Sequence, residues 1–358
     1  MIETNLQTAE HVLATLLADP ATEEVLINGP AKLFTITSGR KIRQPLAFAN
    51  DQELRALINR LVSAANRTLD ETSPLVDVRL PDGSRLNAVI APLTSATTVT
   101  LRRFVLRERS LDDLVKLGVL AAGPRTFLQA AVRSGINLLI CGGTSTGKTT
   151  LLNALCSCID PDERVVTIEE TRELYIDHAL EDVCALECHT LPGGRISIRD
   201  LVRNALRMRP NRIIVGEVRG PEALDMLTAM SSGHEGSMCT THAESAREAL
   251  AKLHTYALMT GEGLPSGAIL EMIGRTVQLV VVCKRARDGE TRFVDTIFEV
   301  TGVQSGVITG HELFTRQEGE LRWTGVRPQC ETRLNEHGHD LGRIFRDASS
   351  AFERRQYW

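Results

Sequence analysis

The chain has 358 residues, 42% of them hydrophobic and 24% charged, with a net charge of −4. That length suits two domains, each able to bury its own core. The mildly acidic balance and only 4% aromatic residues offer neither the basic face nor the stacking platforms of a nucleic-acid binder, so no nucleic-acid partner is expected.

No apolar run approaches the roughly 20 residues needed to cross a bilayer, and no charged start leads into an apolar core, so a cytoplasmic protein is expected. The eight cysteines include no C-x-x-C pair. Cys184, Cys188 and His189 are spaced loosely like metal ligands, but without a second cluster buried free cysteine is the commoner reading.

Residues 10–18 have helical spacing. Glu24 to Ile27, followed by Asn28-Gly29-Pro30, reads as a strand entering a turn, and Lys32 to Thr37 with Ser38-Gly39-Arg40 completes a hairpin. Asn50 or Asp51 can cap a helix whose Leu54, Leu57, Ile58, Leu61, Val62 and Ala65 share one face. Leu75 to Leu80, the turn Pro81-Asp82-Gly83-Ser84, Arg85 to Ala91 and Thr97 to Phe104 alternate as strands. Residues 1–106 are therefore expected to form a small α+β domain, and 107–123 a charged, partly helical link with Leu111, Leu114, Val115 and Leu117 on one side.

From 124 to 358 the pattern alternates helix and strand. Strands are expected at 136–141, 164–169, 183–188, 212–216, 237–240, 277–283 and 292–299, giving an open α/β sheet with active groups on loops at the strands' carboxyl ends. The turn Arg287-Asp288-Gly289-Glu290 makes the end of that sheet antiparallel.

The apolar run ending at Cys141 leads into Gly142-Gly143-Thr144-Ser145-Thr146-Gly147-Lys148-Thr149-Thr150 and then a helical pattern. This is G-x-x-x-x-G-K-[ST] in the context the motif requires, strand before and helix after. A plain glycine turn with a surface lysine would not need that context. Glycines let backbone N–H groups close on phosphate oxygens, and the helix points its positive end at the same anion. Lys148 is expected to reach the β- and γ-phosphates of ATP, and Thr149 to hold Mg²⁺ through its hydroxyl.

Three further groups suit that chemistry. Arg212 to Gly216 is an apolar strand ending in Glu217, which would lie near the P-loop strand and serve Mg²⁺ or its water, although Gly216 stands where many P-loop proteins carry aspartate. The strand 165–169 delivers Glu169, Glu170 and Glu173 within five residues. Glu173 is the candidate general base, with Glu169 and Glu170 behind it; a solvated acidic loop is the plainer reading. His234 and His242 are eight residues apart, too far to share one metal from a helix. Either could sense the γ-phosphate, and either could equally be structural.

Together these residues resemble the ATPases of type II and type IV secretion and type IV pili, and most closely the CpaF-like motors of Tad pilus assembly. The resemblance rests on the P-loop, the acidic box Ile168 to Glu173, the strand Ile213 to Glu217 and the two-histidine box Gly233 to His242. More specific are Leu80-Pro81-Asp82-Gly83-Ser84-Arg85, the run from Arg199 to Pro210, and the run from Val218 to Met226. It implies a PAS-like N-terminal domain before a RecA-like P-loop ATPase domain, a homo-hexamer, and an inner-membrane platform protein as partner. It also implies that Arg85, Arg102 and Arg103 complete the nucleotide site. Glu170 departs from the aspartate usual in that box, the segment from the box to Arg199 is short, and the long leader of many Tad motors is absent from this sequence.

Two other classes compete. A dimeric transporter-type ATPase would explain Leu191-Pro192-Gly193-Gly194-Arg195 as its glycine signature, but the interval from Lys148 is too short for the helical insert that class carries. A nucleic-acid motor on a RecA-like core is disfavoured by the low aromatic content and the acidic charge.

Overall fold

The computed structural model describes residues 11, 13–37, 39–45, 48–103, 109–191, 194–342 and 345. Two compact units divide the chain, one ending at residue 106 and counting Arg287–Glu290, the other comprising the remainder.

In the first unit, β1 (Thr22–Asn28), β2 (Leu33–Thr37), β3 (Arg40–Arg43), β4 (Leu75–Arg79), β5 (Arg85–Val89) and β6 (Thr98–Arg102) form an antiparallel sheet in the order β3-β2-β1-β6-β5-β4. Alternate residues such as Val25, Ile27, Leu86, Ala88, Val99 and Leu101 turn to one face and share a core with helix α1 (Asp51–Ala64). That helix buries Leu54, Leu57, Ile58 and Val62. Asn50 caps it by accepting from the Glu53 N–H at 2.9 Å. Asp51, the other candidate cap, instead accepts from the backbone N–H and hydroxyl of Thr97 at 2.7 and 2.9 Å, tying the helix start to the strand beside it. Residues 13–18 are helical; Glu10, Ser38 and Phe104 from the expected elements lie outside the described residues.

The second unit is built on a nine-stranded sheet. In chain order its strands are β7 (Leu138–Gly142), β8 (Val165–Glu169), β9 (Val183–Glu187), β12 (Arg212–Val215), β13 (Met238–Thr241), β14 (Leu279–Arg285), β15 (Arg292–Gln304), β16 (Val307–Gln317) and β17 (Glu320–Trp323). They lie in the order β17-β16-β15-β14-β7-β13-β12-β8-β9. From β14 to β9 the pairings are parallel; β15, β16 and β17 continue the sheet as an antiparallel meander. A separate hairpin joins β10 (His189–Leu191) to β11 (Gly194–Ile196).

The central strands are buried along their whole length, as parallel strands covered on both faces must be. Leu138 and Ile140 enter one core with helices α3 (Ala122–Arg133) and α4 (Lys148–Cys156), while Leu139 and Cys141 enter the other with α6 (Glu222–Ser231) and α7 (Ala246–Leu258). Within the stretch expected as a link, α2 (Leu111–Lys116) is closed at its start by a capping box between Ser110 and Asp113. Leu111, Leu114 and Leu120 are buried in the same core as Phe127, so this stretch is part of the second unit.

Candidate nucleotide site

The sheet order places the carboxyl ends of β7, β13, β12 and β8 side by side, and each delivers one group. The Glu217 strand lies near the P-loop strand, as expected, with β13 between them. That insertion lets His242, just after β13, stand between Lys148 and Glu217.

At the end of β7 the backbone has no room for side chains. A Cβ on Gly142 would lie 2.3 Å from the carbonyl oxygen of Cys283 on the neighbouring strand, and backbone in a sheet cannot step aside. Gly147 has φ +94° and is the N-cap of α4, so the chain turns there into the helix that carries Lys148 and Thr149. The Lys148 ammonium donates to the carbonyl oxygens of Gly142 and Gly143 at 3.1 and 2.9 Å and lies 3.4 Å from His242 Nδ1. Burial lowers its pKa from the ordinary lysine value, against the pull of Glu217.

His242 Nε2 lies 2.9 Å from Glu217 Oε1. An ammonium can only donate, so Nδ1 accepts from Lys148 and the imidazole proton sits on Nε2, facing Glu217. Burial, then the charge of Lys148, depress the His242 pKa and keep the ring neutral, with Glu217 pulling the other way. Glu217 itself is held at its peptide. The Thr240 hydroxyl donates to the Gly216 carbonyl at 2.6 Å, the Val218 N–H to the Thr240 carbonyl at 2.8 Å, and the Thr241 hydroxyl to the Val218 carbonyl at 2.9 Å.

The three carboxylates that the sequence crowds together diverge in space. Glu169, 2% exposed, turns inward and accepts from the backbone N–H groups of Glu173 and Leu174 at 2.9 to 3.2 Å. Burial pushes its pKa up to about 7, in spite of those two donors. Glu170 pairs with Arg195 of β11. Glu173 turns back toward the P-loop, where the Thr149 hydroxyl donates to its Oε2 at 3.3 Å.

Two residues singled out by neither motif nor spacing complete the site. Asn153, one turn along α4, donates to the Thr149 and Glu173 carbonyls at 3.2 and 3.3 Å and accepts from the Tyr175 N–H at 3.1 Å, binding the acidic loop to the P-loop helix. Arg292, at the start of β15, donates through Nε to the Ser145 carbonyl at 2.9 Å. A signal for Asn153 existed in its position four residues after Thr149 on a helix, but it was not read; nothing in sequence points from Arg292 to Ser145.

His234 stands apart from these groups. His234 precedes β13 and its Nδ1 lies 3.3 Å from the Ala229 carbonyl, while His242 follows the strand. The two are separated by its length, roughly 13 Å for four residues, with His234 on the edge away from the P-loop. In the first unit, Arg85 forms a two-point ion pair with Asp77 at 2.6 and 3.0 Å, Arg102 lies 3.9 Å from Glu24, and Arg103 donates to the Asp19 carbonyl. Pro192 and Gly193 of the glycine run lie outside the described residues. Among the described residues no cluster of three or more His, Cys, Asp or Glu side chains converges as a metal site, and no helix is long and apolar enough to cross a membrane.

The family model described as Type II/IV secretion system protein matches residues 7–315. A Mycobacterium tuberculosis protein carrying the provisional name of a conjugal transfer protein is 35% identical over 303 residues, which cover 82% of this chain and 85% of that one. The type IV secretion system protein PtlH of Bordetella pertussis is 33% identical over 307 residues, with 78% and 91% covered. Among solved structures, the ATPase DotB of Legionella pneumophila shares the fold with a TM-score of 0.58 at 20% identity, over 97% of this chain and 87% of that one.

Proposed function

This chain belongs to the type II/IV secretion system protein family, a family of ATPases, and from that premise we propose that it is a motor that hydrolyses ATP to drive a pilus or secretion machine. The finer reading is a ring of six copies in the cytoplasm, acting on an inner-membrane platform protein and closest in kind to the CpaF-like motors of Tad pili. The observation that supports hydrolysis is the meeting of Lys148, Thr149, Glu173, Glu217 and His242 at one sheet edge.

In this reading the phosphates of ATP take the Lys148 ammonium from the Gly142 and Gly143 carbonyls. The Thr149 hydroxyl, a hard oxygen donor 3.3 Å from Glu173, would hold Mg²⁺, and Glu217 would serve the cation or its coordinated water. When bound, the cation would offset charge on the β- and γ-phosphate oxygens. Glu173 takes the proton of the attacking water, while Glu217 and the neutral His242 orient that water opposite the lysine. Arg85, Arg102 and Arg103 are assigned the neutralisation of charge on the transferring phosphoryl group, a task for which a guanidinium suits.

The test is the mass of the purified protein in solution, with and without Mg²⁺ and a non-hydrolysable ATP analogue, together with its ATP turnover. Six subunits with turnover are expected. A nucleotide-dependent dimer would move the reading to a transporter-type ATPase.

A further inference from the structure

The carbonyls of the P-loop are gripped by Lys148 and Thr146 of the motif and, from outside the motif, by Arg292. From inside, Lys148 grips the carbonyls of Gly142 and Gly143. From outside, the Arg292 Nε grips the carbonyl of Ser145 at 2.9 Å. The sheet register brings that second grip into place. Cys283 pairs with Gly142 across β14 and β7, Arg285 pairs with Arg292 across β14 and β15, and the arginine therefore emerges beyond the end of the P-loop strand.

The apex needs a hold. Ser145 is a non-glycine residue at φ +59°, a left-handed conformation that costs an ordinary side chain of order 1 kcal/mol. Two residues on, Gly147 is at φ +94°, and a Cβ there would sit 3.7 Å from Arg292 Cδ, so the arginine stem lies over the turn. In the ATP-site reading the phosphates would draw Lys148 from the inner grip, leaving the Ser145 contact as the hold on the apex of the loop.

We propose that Arg292 is a positioning residue for nucleotide binding, acting through the Ser145 carbonyl rather than through its charge. This rests on the reading of the P-loop as an ATP site. Two substitutions separate the two modes of action. In Arg292→Lys the charge stays but a methylene replaces Nε opposite the carbonyl; in Arg292→Met the stem stays and both donor and charge are lost.

The experiment is titration of the full chain with a fluorescent ATP analogue and Mg²⁺, alongside steady-state turnover and thermal unfolding. Both variants are expected to bind about tenfold more weakly, in line with loss of a charge-assisted hydrogen bond, with the loss in KM and kcat within about twofold of the parent. Parental affinity in both variants, or in Arg292→Lys alone, would overturn the proposal, the latter by showing that charge suffices. So would a fall in kcat and thermal midpoint without a change in affinity, which would make Arg292 a structural brace. Failure of the unsubstituted protein to bind the analogue would instead sink the ATP-site reading beneath it.

Discussion

Glu169 fills the space that a side chain at Gly216 would need: a Cβ there would come within 2.8 Å of Glu169 Cγ and 3.1 Å of its Oε1. The glycine before Glu217, which stands where many P-loop proteins carry aspartate, is thus explained by the neighbouring strand. The β8 carboxylate has moved into that volume and uses it to hold the backbone of the loop that carries Glu173.

Substituting Gly216→Ala should therefore displace a buried carboxylate that is fixed by two backbone donors. An overpacked site of this kind costs about 1 to 3 kcal/mol, visible as a lower denaturant midpoint. Turnover should fall further than stability, because the Glu173 loop loses its support. An unchanged midpoint and turnover would mean that Glu169 can swing away freely.

Glu169 also makes stability depend on pH. Its folded pKa, about 7, is raised above the ordinary glutamate value of 4.5. Its favourable contribution is then fully present below pH 4.5 and is lost as pH rises through about 7, since the folded state binds the extra proton in that window. Glu169→Gln keeps an acceptor for the Glu173 and Leu174 N–H groups and cannot ionise. Chemical denaturation of the two proteins at pH 5 and pH 7.5 should show the variant gaining, relative to the parent, at the higher pH. Equal differences at both values would place the Glu169 pKa outside the interval.

Glu173→Gln should lower ATP turnover by about 10² to 10⁴-fold, the usual worth of a general base, while the affinity for an ATP analogue stays within a few fold. If turnover persists and Glu217→Gln abolishes it instead, the base is the carboxylate beside His242.

Asn153 offers a test of the acidic loop's attachment. Asn153→Ala removes the donor to the Glu173 carbonyl and the acceptor of the Tyr175 N–H, the two contacts by which it joins α4 to the segment from Glu173 to Tyr175. The expected result is a loss of about 1 to 3 kcal/mol, given the polar groups left unpaired, with kcat reduced more than the affinity for nucleotide. Stability loss with normal kcat would show that the loop keeps its place by other means.

Much of this architecture was legible because it rests on local rules. Fixed spacing identifies the P-loop, runs such as Val165 to Glu169 announce buried strands, and Asn50 announces a helix start. What the sequence hides is long-range register. The insertion of β13 between the P-loop strand and the Glu217 strand, which brings His242 to Lys148, follows from strand order and leaves no local trace. The strand at 292–299 and the antiparallel turn before it were legible, but β16 and β17 beyond them were not, for a related reason. In β16 the glycine Gly310 and the polar residues Thr309, His311 and Glu312 hide the strand pattern, although Leu313 and Phe314 beyond them are fully buried. Glu173 was singled out from Glu169 and Glu170 in sequence, but their partners were not legible: a buried backbone for Glu169, Arg195 for Glu170 and Thr149 for Glu173.

The hydroxyls of Thr240 and Thr241 have a mechanical consequence. Because they lock the peptides on either side of Glu217 to β13, that carboxylate and His242 form one wall that can only shift as a piece. The opposite wall, with Glu173, hangs from Glu169 and Asn153 by single side chains. A push arriving at the sheet edge through β12 or β13 would carry base-side and lysine-side chemistry apart or together by moving the stiff wall against the hung one. Any movement of one wall against the other would therefore be taken up at a pair of side-chain amide and carboxyl contacts, beside Glu173.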